Sequence, residues 1–226
     1  MNLLLLHGAL GSAAQLRVLQ ERVGGVAIDL SGHGSQSIPP DGIRFELFIA
    51  DIDRAFVEHG WREAHLFGYS MGGYAAMLYA AGNPERVKSV ITLGTKFLWN
   101  EVDLKKELRM LDPDAMEQKV PAFTQVLADA HGAGRWKQVV GAIARSMVEL
   151  AASPLLGAEA CARIQCPVLL CVGEMDTTAV PADTRLFASG VKGAEVFLLP
   201  GTPHPFDRVE LDALLPRLRE FWRRSH

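Results

Sequence analysis

Cysteine is scarce in this chain, and the scarcity removes two classes of protein at once. The three cysteines, Cys161, Cys166 and Cys171, are odd in number and include no Cys-x-x-Cys pair. They supply neither a disulfide framework nor a zinc-ligand pattern. Cys166 and Cys171 lie in an apolar run and read as small buried hydrophobes. Long hydrophobic runs are missing too, since no stretch approaches the roughly 20 apolar residues of a membrane-spanning helix. Residues 1–6 are apolar, but too short for a signal-peptide core and without a positive leader. Neither charge is in excess: 23 Lys and Arg face 26 Asp and Glu, a formal net charge of −3, without the basic face that nucleic acid demands. The one basic cluster, Arg217, Arg219, Arg223 and Arg224, lies on a helical pattern and reads as a solvated face. Signatures of bound groups are equally absent, with no His-Glu-x-x-His, no Gly-x-Gly-x-x-Gly and no phosphate-binding P-loop. The expectation is a cytoplasmic protein in a reducing compartment, with no cofactor, metal, nucleic-acid partner or membrane partner. Oligomeric state is left open.

What the chain does have is apolar residues, 49% of its 226, enough to bury the core of one α/β domain with an insertion. That content also excludes intrinsic disorder. Short apolar runs at 2–6, 25–29, 64–67, 89–93, 167–172 and 194–199 alternate with helical patterns at 14–23, 45–59, 71–81, 181–188 and 208–224. Such alternation predicts βα units around a mostly parallel sheet. The strands are continuously apolar, as expected where helices cover both faces. In 45–59, Phe45, Phe48, Ile49, Ile52, Phe56 and Val57 mark one helical face. Gly82-Asn83-Pro84 ends the helix before it.

Residues 96–160 break the alternation. They show only helical patterns, interrupted at Asp112-Pro113, Val120-Pro121, His131-Gly132 and Ser153-Pro154. The segment reads as a helical insertion between 1–95 and 161–226. It carries Trp99, Trp136, Met110, Met116, Met147, Phe97 and Phe123, large adaptable side chains that could line a ligand pocket or form the insertion's own core.

The chemistry concentrates at Gly68-Tyr69-Ser70-Met71-Gly72-Gly73. This fits Gly-x-Ser-x-Gly between an apolar strand and a helix, the context in which a serine side chain projects from a strained turn. Small residues two before and two after keep neighbouring backbone clear, and the helix aims its first amides at the site. A serine hydroxyl needs a base, itself oriented by an acid. Asp176 follows the run 168–173 and His204 follows the run 194–199, so Ser70, Asp176 and His204 all fall at the carboxyl edge of the sheet, where open α/β sheets bind ligands. Their chain order, Ser, Asp, His, is that of a strand–turn–helix nucleophile. Oxyanion donors are expected from the backbone amides of Met71 and Ala9, the latter preferred over Leu10.

With these residues in view, the chain resembles the α/β-hydrolase fold superfamily over nearly its whole length. The matching pieces are His7-Gly8, the run from Asp29 to Ser37 around Gly32-His33-Gly34, the Ser70 elbow, Gly173-Glu174-Met175-Asp176 and Gly201-Thr202-Pro203-His204. The resemblance implies a Ser70–Asp176–His204 triad under a helical cap, on a mostly parallel sheet of about six strands with helices on both faces. Members often have two strands ahead of the His-Gly strand, whereas here Met1 opens that strand, so the expectation is a sheet trimmed at one edge away from the site.

Other titratable groups have plainer readings. His7 and His33 sit in glycine-flanked turns and are expected to bond to backbone. His59 and His65 flank Trp61 and read as structural, His131 as part of a loop between helices, and Glu174 as a rim residue. Asp183 is the alternative acid, disfavoured because it falls inside the next helix. The reading is therefore a serine hydrolase acting on a small ester or thioester, with Leu10, Tyr69, Trp99 and Trp136 as substrate contacts. Two rivals stand beside it. One is a lyase or C–C-bond hydrolase: a menaquinone-pathway lyase shares a similar elbow but has an arginine just past it, where this chain has Tyr74. A cofactor-free haloperoxidase resemblance through the same elbow would be a side activity. The other rival is a binding protein that keeps the triad and turns over slowly.

Overall fold

A computed structural model describes residues 1–225. Six strands form one sheet: β1 (Leu3–Leu6), β2 (Val26–Ile28), β3 (Ala64–Tyr69), β4 (Val87–Leu93), β5 (Val168–Gly173) and β6 (Glu195–Leu199). All pair in parallel in the order β2-β1-β3-β4-β5-β6. Side chains alternate across it. Leu4, Leu6, Leu66, Val90, Val168 and Leu170 belong to one core, and Leu3, Leu5, Phe67, Ile91, Leu169 and Cys171 to the other. Both faces are buried, so the strands read as unbroken apolar runs rather than alternating ones.

Among the described residues the α-helices are α1 (Arg17–Val23), α2 (Phe45–Glu58), α3 (Met71–Gly82), α4 (Glu101–Met110), α5 (Pro113–Lys119), α6 (Pro121–His131), α7 (Trp136–Ala152), α8 (Ala158–Ala162), α9 (Pro181–Ala188) and α10 (Leu211–Arg224). Helices α1 and α10 cover one face through Leu19, Leu214, Leu218 and Phe221. Helices α2 and α3 cover the other. On α10 the arginines point outward, where Arg217 and Arg224 pair with Glu195 and Glu220. The pattern at 14–23 divides into a 3-10 turn (Ala13–Leu16) and α1. The pattern at 208–224 starts only at Leu211, because Val209 is extended after the 3-10 turn Phe206–Arg208.

Between β4 and β5 the chain is helical, from α4 to α8. This segment does not stand apart. Val139, Ala142 and Ile143 of α7 and Ala160 and Cys161 of α8 join the main core, while Met116, Leu127, Trp136 and Val140 make a small core of their own. His131, which ends α6, ties the segment down: its Nδ1 accepts from Gly34 N at 3.0 Å and its Nε2 donates to Leu10 O at 3.0 Å. Arg135 donates to the carbonyls of Gly34 and Gln36. Among the described residues no helix is long and apolar enough to cross a membrane.

Candidate active site

Ser70 follows β3 directly and caps α3. Its backbone, at φ 50° and ψ −115°, is the one non-glycine among the described residues with positive φ, a conformation that costs about 1–3 kcal/mol unless its surroundings impose it. Here they do. Ser70 N donates to Leu93 O at 2.8 Å, and Ser70 O accepts from Gly73 N at 3.0 Å and Thr95 Oγ1 at 2.9 Å. A Cβ on Gly68 would lie 2.3 Å from the Gly72 backbone, and one on Gly72 would lie 2.3 Å from Leu6 O. The spacing of small residues in the elbow therefore follows from backbone packed on backbone.

The loops after β5 and β6 bring the acid and the imidazole to the serine. His204 Nδ1 lies 2.7 Å from Asp176 Oδ2, and its Nε2 lies 3.4 Å from Ser70 Oγ. With Nδ1–H donating to the buried carboxylate, Nε2 is left as an acceptor facing the hydroxyl. Asp176 is itself held, its Oδ1 accepting from Thr178 N and Ala179 N, both at 2.8 Å. Glu174 Oε2 accepts from Gly201 N at 3.1 Å and links the two loops. Asp183 begins α9 while His204 Nδ1 is already occupied by Asp176.

The remaining histidines are backbone fasteners. His7 donates from Nδ1 to Gly8 O at 2.8 Å and accepts from Leu30 N at 3.0 Å. Both nitrogens of His33 face carbonyls, Ala9 O at 2.7 Å and Ser31 O at 3.1 Å, so a neutral ring donates to the nearer. Burial lowers His7 to about 3 and His33 to about 4, and it lowers His131 as well. Each remains neutral at pH 7. His59 stacks on Trp61 at 4.9 Å, and His65 Nδ1 meets Ser89 Oγ at 2.8 Å. Among the described residues no group of three His, Cys, Asp or Glu side chains is disposed to hold a metal ion. The thiols are buried and free, with burial raising Cys166 to about 11.

A cavity of about 520 Å³, counting its open mouth, begins at Ser70, Met71 and Ala9. Phe45, Ile143, Met147 and Leu150 give it an apolar wall, and Lys96, Trp99 and Glu107 a polar one. Of the four residues expected to touch substrate, Trp99 lines this cavity. Tyr69, Trp136 and Leu10 are not among its lining residues. Tyr69 points to the opposite face of the sheet, where its hydroxyl donates to His204 O at 2.8 Å and its ring packs on Phe206. Trp136 is the centre of the small core between α5, α6 and α7. Leu10 bridges that core and the main one. Sequence pattern reports that a side chain is buried, not whether it faces a void or a neighbour.

Three residues near the site escaped the sequence reading. Gly94, at φ +60°, ends β4 where a Cβ would come within 3.2 Å of Asp176 and 3.4 Å of His204. Lys96 donates to Thr178 O at 3.2 Å, pairs with Asp103 at 3.3 Å and lies 5.2 Å from the Trp99 ring centre. Glu107 is buried on α4, whereas Val102 of the same helix is 76% exposed. This inversion of the amphipathic pattern is visible only in the structure. Burial pushes the Glu107 carboxyl above the usual carboxylate range, with Lys96 opposing the shift.

The family model described as alpha/beta hydrolase fold matches residues 2–133. A serine hydrolase-like protein of Danio rerio is 42% identical over 80 residues, 34% of this chain and 24% of that protein. A 2-succinyl-6-hydroxy-2,4-cyclohexadiene-1-carboxylate synthase of Serratia proteamaculans is 34% identical over 133 residues, 56% of this chain and 51% of the synthase. The chain thus spans about half or less of the length of these curated relatives. Among solved structures, a thermophilic esterase from Thermogutta terrifontis superposes with a TM-score of 0.78 at 20% identity, over 100% of this chain and 90% of that one. At that identity the likeness concerns the fold.

Proposed function

Because the chain belongs to the alpha/beta hydrolase fold family, we propose that it is a cofactor-independent serine hydrolase cleaving a small carboxylic ester or thioester through an acyl-enzyme. The observation that carries the reading is the unbroken relay from Ser70 Oγ through His204 to Asp176, itself held by two backbone amides. Ser70 attacks the acyl carbon as His204 Nε2 takes its proton, and the Asp176 carboxylate stabilises the imidazolium. The amides of Met71, first in α3, and of Ala9 receive the oxyanion. Each such donor supplies about 3–4 kcal/mol of transition-state stabilisation. His204 then protonates the leaving group, and a water activated by the same nitrogen releases the acid. The helices between β4 and β5 act as a cap whose apolar wall takes the carbon chain of the substrate. Three buried thiols suit a reducing cytosol.

The test is intact-mass labelling with a fluorophosphonate, beside a Ser70→Ala control. Stoichiometric labelling that disappears in the control supports an activated serine, and a folded protein that takes no label overturns the reading.

A second reading, a lyase or C–C-bond hydrolase on the same residues, draws on the likeness to the Serratia synthase. Against it stands Tyr74, in the place where the resemblance calls for an arginine. Its hydroxyl is engaged by Leu155 N at 3.2 Å and Leu156 N at 3.1 Å rather than left for an anion. Steady hydrolysis of simple esters distinguishes the two.

A further inference from the structure

Four buried side-chain polar atoms among the described residues have no hydrogen-bond partner, and two of them, Trp99 Nε1 and Glu107 Oε1, belong to residues that line the cavity beside Ser70. Glu107 is only 7% exposed, and its Oε1, buried without a hydrogen bond, carries a desolvation cost. Helix α4 accepts that cost while leaving Val102 in solvent. A local rule broken at the edge of a reaction site is the mark of a residue kept for a ligand.

Lys96 places the two orphans in one neighbourhood. It lies 5.2 Å from the Trp99 ring centre and is the leading charge felt by Glu107. It does not itself await an anion, since Asp103 at 3.3 Å balances its charge and Thr178 O takes another of its protons. What remains unsatisfied is one acceptor, on Glu107, and one donor, the indole N–H of Trp99. A carboxylate would satisfy the indole but meet the Glu107 carboxyl. An ammonium would satisfy Glu107 but meet Lys96 and the indole N–H. An alkyl group would satisfy neither.

We infer that Glu107 and Trp99, with Lys96 beside them, form a specificity site for substrates bearing a neutral group that both donates and accepts a hydrogen bond, an amide or a hydroxyl. The word substrate rests on the hydrolase reading, whereas the binding of such a group does not. The amide or hydroxyl donates to Glu107 and accepts from Trp99, and the intervening carbon chain lies along Ile143, Met147 and Leu150. A site built around a hydrogen-bonding group discriminates strongly against analogues that lack it, because its own buried polar atoms are then left unpaired.

Four ligands of equal chain length test this by ligand-observed NMR titration of the Ser70→Ala protein at neutral pH: pentanamide, pentanol, pentanoate and pentylammonium. The amide and the alcohol are expected to bind at least about tenfold more tightly than either ion. Glu107→Leu and, separately, Trp99→Phe in that background are expected to remove most of the preference. Trp99→Phe keeps the ring, so the comparison survives if Glu107→Leu folds poorly. An ion that binds as well as the better neutral ligand, a preference that survives both substitutions, or no binding by any of the four overturns the site. Fluorophosphonate labelling of the wild-type chain is scored separately. Labelling without the neutral-ligand preference sinks this inference alone, and the preference without labelling sinks the hydrolase reading alone.

Discussion

Asp176 has two tasks that two substitutions separate. Its Oδ2 orients His204 and its Oδ1 holds the amides of Thr178 and Ala179. In Asp176→Asn an oxygen can still serve the turn, but an amide NH₂ then faces His204 Nδ1 and selects the wrong tautomer. Under the proposed serine-hydrolase reading, ester turnover is expected to fall by about 10⁴-fold with little change in the unfolding midpoint. Asp176→Ala adds the loss of the turn's acceptor, an expected further cost of about 1–3 kcal/mol by urea denaturation. Ser70 offers the converse experiment. Its positive φ is unfavourable for a side chain and neutral for glycine, so Ser70→Gly is expected to raise stability by about 1 kcal/mol while abolishing ester hydrolysis. A Ser70→Gly protein no more stable than wild type would show that the elbow stores no strain.

Elements show where local pattern suffices and where it fails. Helix α3 follows a motif whose spacing is dictated by its own backbone, and it begins at the residue after Ser70, as read from the sequence. Helix α4 defeats the pattern because its inner face borders a cavity, so charge rather than apolarity points inward. Tyr74 on α3 joins these regimes, being buried like a core residue while its hydroxyl accepts two amides from the link between α7 and α8. Tyr74→Phe keeps the ring and leaves both N–H groups without an acceptor. The expected loss is about 1–3 kcal/mol in chemical denaturation. A loss under a few tenths would mean that water replaces the hydroxyl. Nothing in the sequence separated Trp99, which lines the cavity from the loop before α4, from Trp136, which begins α7 and fills a core, because what stands opposite each ring depends on how separate elements pack.

At the scale of the molecule, three neutral imidazoles join the helical segment to the sheet's loops. The rings of His7 and His33 stand 4.9 Å apart, and those of His33 and His131 stand 5.9 Å apart. Asp29 faces the cluster from the loop after β2, and Arg135 faces it from α7's start. Folded-state values depressed to about 3 for His7 and about 4 for His33, with His131 also lowered, mean that the unfolded chain binds these protons first. Stability contributed by the neutral rings is therefore complete above about pH 6.5, the ordinary histidine value, and falls as pH drops from there toward 4. The lowered carboxyl of Asp29 adds a loss of the same sign at still lower pH. Urea midpoints are expected to decline steadily between pH 7 and pH 4.5, and His131→Gln is expected to flatten the slope. A midpoint independent of pH over that range would contradict the burial of these rings.

The sequence by itself determined the parallel sheet, the elbow at Ser70 and the chain order of Ser70, Asp176 and His204. Each follows from local rules: unbroken apolar runs for strands covered on both faces, and glycines where backbone meets backbone. Only the tertiary structure decided which residues surround the reacting atoms. The cavity is a space left between α4, α7 and the elbow, so its lining depends on how separate elements pack. That is why Glu107 and Lys96 came into view only once those helices were placed, and why Tyr69, adjacent to Ser70 in sequence, proved to face the other side of the sheet.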